Sequence, residues 1–549
     1  MSPRSPFSAL RWLIALLVLG GMLFLLVERA PEQSIPEPVE VPTEALVVTD
    51  TASEVFGEPL PALQSLEELD LDTPPARRGL DLQHWQTSQG TPVYYMHADE
   101  LPMLDVQILF AAGASRDGEL PGLAGFTNAM LNEGTGNLDA GDIAAGFERL
   151  GAQFSNSAHR DMGLLGLRTL TASDKLEPAL SLFAQILAKP SFPEASLQRI
   201  REQMLAGLRY ARQRPDSQAS EALWSTLYPG HPYGIPPDGT QESINAITRE
   251  DLQRFQQTYY NAGNAVIALV GAVDRQRAEQ LAQHLADAMP QGDAAPRTPA
   301  PEPVSASTQH IDFASNQTHL LIAQQGISRD DPDYAALYLG NQILGGGGFG
   351  SRLVHEIREQ RGLAYSPRST FSAMQAPGPF YISIQTRADQ AEQALDVANQ
   401  VLDEFIRSGP TDTELSRAKQ QMLGEFPLST ASNGAIVSQL GAIGFYGLPL
   451  NYMQLFLDRV QALTSEDIRD AFARQLPADQ RVIITVGPPQ PEPEQDSSDT
   501  ESDSAAQTTE SEAARSALAP RRPQAGDAAP RPRGAAPAPA PPADAPRGP

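Results

Sequence analysis

Metal, thiol and phosphate chemistry leave recognisable spacings in a sequence, and here those spacings are missing. The eight histidines, at positions 84, 97, 159, 231, 284, 310, 319 and 355, include no pair four residues apart. A helix-borne zinc site needs two imidazoles one turn apart, so each lone histidine reads as a surface or structural residue. There is no cysteine, which excludes disulfides, thiolate metal sites, cysteine catalysis and a lipid-modified cysteine anchor. It leaves the compartment open. Gly345–Gly348 invites a phosphate-loop reading, but the residues that follow are Phe349-Gly350-Ser351-Arg352 rather than Gly-Lys-Ser/Thr. A flexible or closely packed turn leading into a helix over Arg352–Gln360 is the expectation there.

The elements that would position any site must come from a chain of 549 residues, room for several domains at about 100–200 residues each. Its 41% hydrophobic content supports real cores, while 48 prolines and a formal charge of −27 point to extended acidic segments around them. That charge argues against nucleic acid as a partner, since phosphate recognition needs clustered Lys and Arg. Arg4 and Arg11 precede the uncharged run Trp12–Val27 of 16 residues. This is short of the roughly 20 expected of a spanning helix and longer than a usual signal-peptide core. The reading for 1–27 is a signal anchor or, alternatively, a cleaved signal peptide. The positive flank places the bulk outside the cytoplasm: inner membrane, single-pass, with a periplasmic body, or soluble in the periplasm after cleavage.

Residues 28–80 are acidic and Pro-rich and read as a tether, and 290–307 has linker composition. From 488 to 549 an acidic tract gives way to Pro/Ala/Arg repeats that cannot bury a core, so disorder is expected. The two blocks between, 81–289 and 308–487, carry internal echoes. Thr248-Arg-Glu-Asp-Leu returns as Thr464-Ser-Glu-Asp-Ile, and Val266-Ile-Ala-Leu-Val-Gly as Val482-Ile-Ile-Thr-Val-Gly, both 216 residues later. Leu197, Arg199, Met204 and Leu205 recur as Leu415, Arg417, Met422 and Leu423, at an offset of 218. Three segments nearly in register argue for duplication. Apolar spacing predicts helices over Glu177–Leu187 and Glu392–Ile406. Each Thr-x-Glu-Asp segment predicts a helix start with threonine as N-cap. Val93–Tyr95, Val106–Phe110, Phe380–Thr386 and the two Val/Ile runs predict strands.

Against this background, Gly122–Thr135 (GLAGFTNAMLNEGT) resembles the zinc-site helix of the M16 metallopeptidases, the insulinase, pitrilysin and mitochondrial processing peptidase family. Leu150–Asp161, His231–Asp274 and Gly345–Ser366 (GGGGFGSRLVHEIREQRGLAYS) are similar to further segments of that family, so the resemblance spans about 81–487. It implies an α+β fold of two homologous domains, each a mixed sheet with helices on one face, that together form a half-shell. Where active members carry His-x-x-Glu-His, this chain has Gly125, Asn128 and Ala129, and where they carry the third ligand it has Ala206 and Gly207. No zinc cofactor is therefore expected in this chain.

The resemblance also implies a retained accessory. Arg358 and Tyr365, seven residues apart, match an Arg/Tyr pair that faces the zinc in many active members. A guanidinium can clamp a peptide carbonyl or carboxylate, and a phenol can donate to a developing oxyanion. The alternative is an ordinary structural junction, with Arg358 salt-bridged and Tyr365 capping a core. By the same resemblance, the glycine-rich loop (Gly346, Gly347 and Gly348) contacts substrate. Ser155 and Asn156 lie on a strand that could add a peptide at its edge if that edge is open. The leading expectation is a non-catalytic subunit of a heteromeric zinc peptidase, inactive alone and completed by a zinc-bearing M16 partner that binds peptide substrate with it. The alternative is a peptide-binding or scaffold protein of the cell envelope with no part in proteolysis.

Overall fold

The computed structural model describes residues 79–489. The expected anchor, the tether up to residue 78 and the tail from residue 490 lie outside them. Among the described residues no helix is long and apolar enough to cross a membrane.

The first half begins with strands β1 (Leu82–Gln86), β2 (Pro92–His97) and β3 (Met103–Phe110). Helix α1 (Leu123–Met130), a short β4–β5 hairpin (Gly134–Thr135, Leu138–Asp139) and α2 (Ala140–Leu150) follow. Then come β6 (Gln153–Ala158), β7 (Gly163–Leu170), α3 (Ser173–Ala188), α4 (Glu194–Ala211) and α5 (Pro215–Leu227). The half closes with α6 (Gln241–Ala246), α7 (Arg249–Tyr259), β8 (Ala265–Gly271) and α8 (Arg275–Ala288). The second half runs β9 (Ser307–Asp312), β10 (Gln317–Gln325), α9 (Tyr334–Asn341), β11 (Arg368–Phe371) and β12 (Pro379–Arg387). Helices α10 (Ala391–Ser408), α11 (Asp412–Ser429), α12 (Asn433–Tyr446), α13 (Tyr452–Ala462) and α14 (Ser465–Gln475) precede the last strand, β13 (Val482–Gly487).

The sheet orders are β1-β2-β8-β3-β7-β6 and β11-β12-β10-β13-β9. Both are antiparallel except for one parallel pair, β2/β8 in the first and β9/β13 in the second. Read from β6 and β11 the two orders coincide, with β1 an added edge in the first. The sequence echoes fall on equivalent elements: the Val/Ile runs are β8 and β13, and the Leu-x-Arg segments lie in α4 and α11. Thr248 and Thr464 cap α7 and α14 through matching capping boxes with Asp251 and Asp467. Such caps satisfy the free N–H groups of a first turn.

The expectation of helices on one face of each sheet needs a correction. Val93, Tyr95, Ile267 and Leu269 turn toward the first half's own helices. Met96, Ala268 and Val270, on the opposite face, pack with residues of the second half, including Ile436, Leu440 and Ile443 of α12. Reciprocally, α5 puts Ala219, Ala222, Leu223 and Leu227 on the second sheet against Leu321, Ala323, Val482 and Ile484. The two halves thus exchange a helix. Strand β8 is buried along its whole length, which its unbroken apolar sequence requires. The close approach of α12 depends on glycine: a Cβ on Gly444 would stand 2.4 Å from Val266 Cγ1 and 2.5 Å from Tyr94 Cε2.

Two further devices join the halves. Asp161, buried, accepts from Tyr233 Oη at 2.6 Å and from the Gln375 N–H at 2.8 Å, while Tyr233 Oη accepts from the Ala376 N–H at 3.0 Å. The connecting segment before β9 has no helix or strand but is bonded along its length. Pro290 O accepts from Ala262 N–H (2.9 Å), Glu302 O from Gln325 Nε2 (2.9 Å), and Ala306 N–H donates to Asp479 O (2.8 Å).

Candidate functional site

Helix α1 is where a zinc site of this family would be built, and its sequence builds a closed apolar strut instead. The turn into it passes through Gly122 at φ 89°, a left-handed conformation that favours glycine. The Asp117 carboxylate accepts from the N–H groups of Gly122 and Ala124, both at 2.7 Å, and so serves as the cap that Gly122 cannot provide. Burial pushes the Asp117 carboxyl up to about 7, against the opposing pull of those two bonds.

Along α1, Gly125 and Ala129 are half-buried, and Asn128 is buried with its Nδ2 donating to Tyr260 Oη at 3.1 Å. The amide at the general-base position is therefore engaged in the core. Helix α4 packs on α1, with Arg199 paired to Glu133 and the Arg201 guanidinium 5.8 Å from the Phe126 ring. Ala206 and Gly207 are exposed on α4. Gly125, Asn128, Ala129, Ala206 and Gly207 offer no imidazole or carboxylate, so this donor set does not fit zinc. Among the described residues no three His, Asp or Glu gather where they could hold a metal ion.

Next to α1 lies β6, at the edge of the first sheet, paired on one side only, with β7. Its other edge is thus open among the described residues. Ser155 is exposed, whereas the Asn156 side chain turns to α1, its Nδ2 donating to Asn128 O at 2.6 Å. Of the two, only Ser155 has its side chain free to face a ligand.

In the second half the glycine-rich stretch is not a loose turn. Helix α9 widens into a π-helical segment over Gln342–Gly346, and a single 3₁₀ turn over Gly348–Gly350 follows. A Cβ on Gly345 would stand 2.5 Å from Ser369 Oγ, and one on Gly347 2.5 Å from Gln342 O. Neighbouring atoms occupy the space at Gly345, Gly346 and Gly347, while Gly348 has open space and a left-handed φ of 66°. The expected helix over Arg352–Gln360 is, across Val354–Glu359, a second π-helical segment.

That segment carries Arg358, whose guanidinium carbon lies 4.3 Å from the Tyr365 ring centroid and 4.8 Å from that of Phe349. Tyr365 is 74% exposed and Phe349 70%. The structural-junction alternative requires a salt-bridged Arg358 and a core-capping Tyr365, and among the described residues neither arrangement is present. Arg358 and Tyr365 are brought together. No hydrogen bond, ion pair or ring contact among the described residues joins them to Gly125, Asn128, Ala129 or Ala206. Phe349 and Asp117 were not singled out by sequence reasoning. Phe349 could have been found as a lone aromatic among glycines. Asp117 lies too far before α1 to match an N-cap spacing.

A duplicated α/β chain with no imidazole or carboxylate at the zinc positions of one half, and an Arg/Tyr pair brought together in the other, defines a peptidase-like scaffold. Residues 95–241 match the family model described as insulinase (peptidase family M16), and 246–422 match the peptidase M16 inactive domain. The chain belongs to the M16 family.

The crystal structure of a peptidase M16 inactive domain from Pseudomonas fluorescens is 50% identical, covering 75% of this chain and 99% of that one, with a TM-score of 0.73. The non-peptidase homolog YmxG of Helicobacter pylori is 29% identical over 71% of this chain and 90% of its own length. An uncharacterized zinc protease of Streptomyces coelicolor is 26% identical over 69% of this chain and 84% of its own. A protease from Helicobacter pylori shares the fold at 19% identity, covering 74% of this chain and all of that one, with a TM-score of 0.69.

Proposed function

We propose that this chain is the non-catalytic subunit of a two-chain M16 peptidase. The observation that carries the reading is the contrast between a first half with no ligand or base at the metal positions and a second half whose Arg358 and exposed Tyr365 remain free. The names of its relatives, an inactive domain and a non-peptidase homolog, support it. Hydrolysis would belong to a zinc-bearing partner chain. This chain would supply half of the chamber wall, Arg358 to hold a peptide carbonyl or carboxylate, and Tyr365 to donate to the oxyanion. The open edge of β6 at Ser155 and the Gly346–Gly348 turn would guide the extended peptide. The proposed setting is the periplasmic face of the cytoplasmic membrane, reached through the N-terminal apolar run.

The test is to assay a quenched peptide library with the full chain alone, with a zinc-bearing M16 chain, and with both. Cleavage is expected from the pair and not from this chain alone. Zinc-dependent cleavage by this chain alone would overturn the proposal. In the active pair, Arg358→Ala or Tyr365→Phe should lower kcat by roughly 10²–10³-fold, the usual cost of one oxyanion donor. An unchanged kcat for both would instead favour a peptide-binding scaffold with no part in proteolysis.

A further inference from the structure

Arg358 sits among acids and pairs with none of them. Glu356 is taken by Arg361, with Nη1 2.6 Å from Oε2, and Glu359 by His355 Nδ1 at 3.0 Å. Among the described residues no carboxylate, carbonyl or hydroxyl accepts a hydrogen bond from Arg358; its contacts are the two rings. Solubility does not explain an unpaired cation in a chain of net charge −27. The two rings accept no hydrogen bond from the guanidinium, so its N–H fork stays available, the edge that matches a carboxylate with two parallel hydrogen bonds.

The rings are held ready as well. Phe349 is displayed on a turn that follows the crowded Gly345–Gly347 and is closed by Ser351, whose Oγ and N–H donate to Gly348 O at 2.8 and 3.1 Å. A rigid turn that exposes most of a phenylalanine beside an unpaired arginine is arranged to contact something other than water.

We propose that Phe349, Arg358 and Tyr365 form a carboxylate clamp, in which the guanidinium fork takes a carboxylate of a bound peptide and the two rings take the apolar side chain beside it. This rests on the reading of the chain as a peptide-binding subunit and specifies the class of peptide. A C-terminal carboxylate and a Glu side chain share the required chemistry.

The test is fluorescence anisotropy of the full chain in detergent, without a partner, using three peptides labelled at the N-terminus. All three end in phenylalanine. One is a free acid, one its C-terminal amide, and one the same amide with a penultimate glutamate. At least one carboxylate-bearing peptide should bind about tenfold more tightly than the neutral amide, as expected for hydrogen bonds to a charged group. Preference for the free acid assigns the terminus as the source, and preference for the glutamate amide assigns the side chain. Arg358→Lys, which keeps the charge but not the fork, should lose most of that preference while melting at the wild-type temperature. Phe349→Ala should weaken all three peptides alike. Equal affinity of the wild type for all three, or a full preference retained in Arg358→Lys, overturns the clamp and leaves the peptide-binding reading standing. If none of the peptides binds, both fall.

Discussion

Helices α1 and α9 occupy comparable places in the two halves, each followed by the segment that defines its half of the site, yet they end in opposite conditions. Helix α1 presents glycine and alanine at the old ligand positions and binds Asn128, at the base position, to Tyr260. Helix α9 runs into π-helical turns that lead to Arg358, whose guanidinium donates to no acceptor among the described residues, beside two exposed rings. Their starts differ too. Asp117 is buried at the head of α1 and held by the Gly122 and Ala124 N–H groups, whereas Asp333 at the head of α9 accepts from Arg474 Nη2 at 2.7 Å. Duplication supplied one scaffold twice. What differs is the state of the polar side chain at each site position: Asn128 is bonded inside the chain, and the Arg358 guanidinium makes no hydrogen bond among the described residues.

The comparison breaks most visibly if chemistry can be returned to the first half. Gly125→His, Asn128→Glu, Ala129→His and Ala206→Glu installed together should raise zinc affinity by orders of magnitude over wild type. A Cβ at Gly125 meets only Pro237 O, at an ordinary 3.6 Å. Near-stoichiometric zinc by mass spectrometry after dialysis is the expected result. Background zinc would show that α1 and α4 no longer stand at ligand spacing.

A smaller effect tests the exchange of helices. Gly444→Leu forces a side chain into Val266 and Tyr94 and should cost about 1–3 kcal/mol, read as a lowered melting temperature. A wild-type melt would mean that α12 does not sit on the first sheet.

The two aspartates should respond to pH in opposite directions. Asp117, raised from 3.8 to about 7, holds a proton in the folded chain that the unfolded chain has lost. Its contribution therefore falls as pH rises from about 4 to about 7, and Asp117→Asn should flatten that part of the stability curve. For Asp333, burial works upward but the bonds from Arg474 and Gln475 outweigh it and hold the carboxyl below its usual range. Its contribution is present above pH 4 and is lost as pH falls below that. Urea midpoints at pH 3, 5 and 8 separate the two; a wild-type slope between pH 5 and 8 in Asp117→Asn would refute the first assignment. The smallest effect is one of sameness. Gly207 in α4 and Gly424 in α11 both have open space around an added Cβ. Gly207→Ala and Gly424→Ala should each stabilise by about 0.5–1 kcal/mol through helix propensity. Denaturant titration checks whether the halves respond alike.

Much of the fold was legible because local rules and tertiary packing agree. The capping threonines, the Val/Ile strands and the repeat offsets each follow from residues a few positions apart. The exchange of α5 and α12 was not legible, since an apolar segment such as Ile436–Phe445 shows that it is buried but not against what. At the site, the identity and spacing of Arg358 and Tyr365 could be read. The freedom of Arg358 could not, because Glu356 and Glu359 beside it suggest a local ion pair. Only the π-helical winding and the partners His355 and Arg361 show those acids to be engaged elsewhere.

The exchanged helices also set a schedule for biosynthesis. As the chain emerges from its N-terminus, the first sheet can pair and gather its own helices by residue 288, the end of α8. Its second face, with Met96, Ala268 and Val270, has no cover until α12 is complete at Tyr446. For more than a hundred residues of synthesis the nascent chain carries an apolar sheet face open to water and to other chains. The folding of this protein is therefore most vulnerable between the completion of α8 at Ala288 and that of α12 at Tyr446.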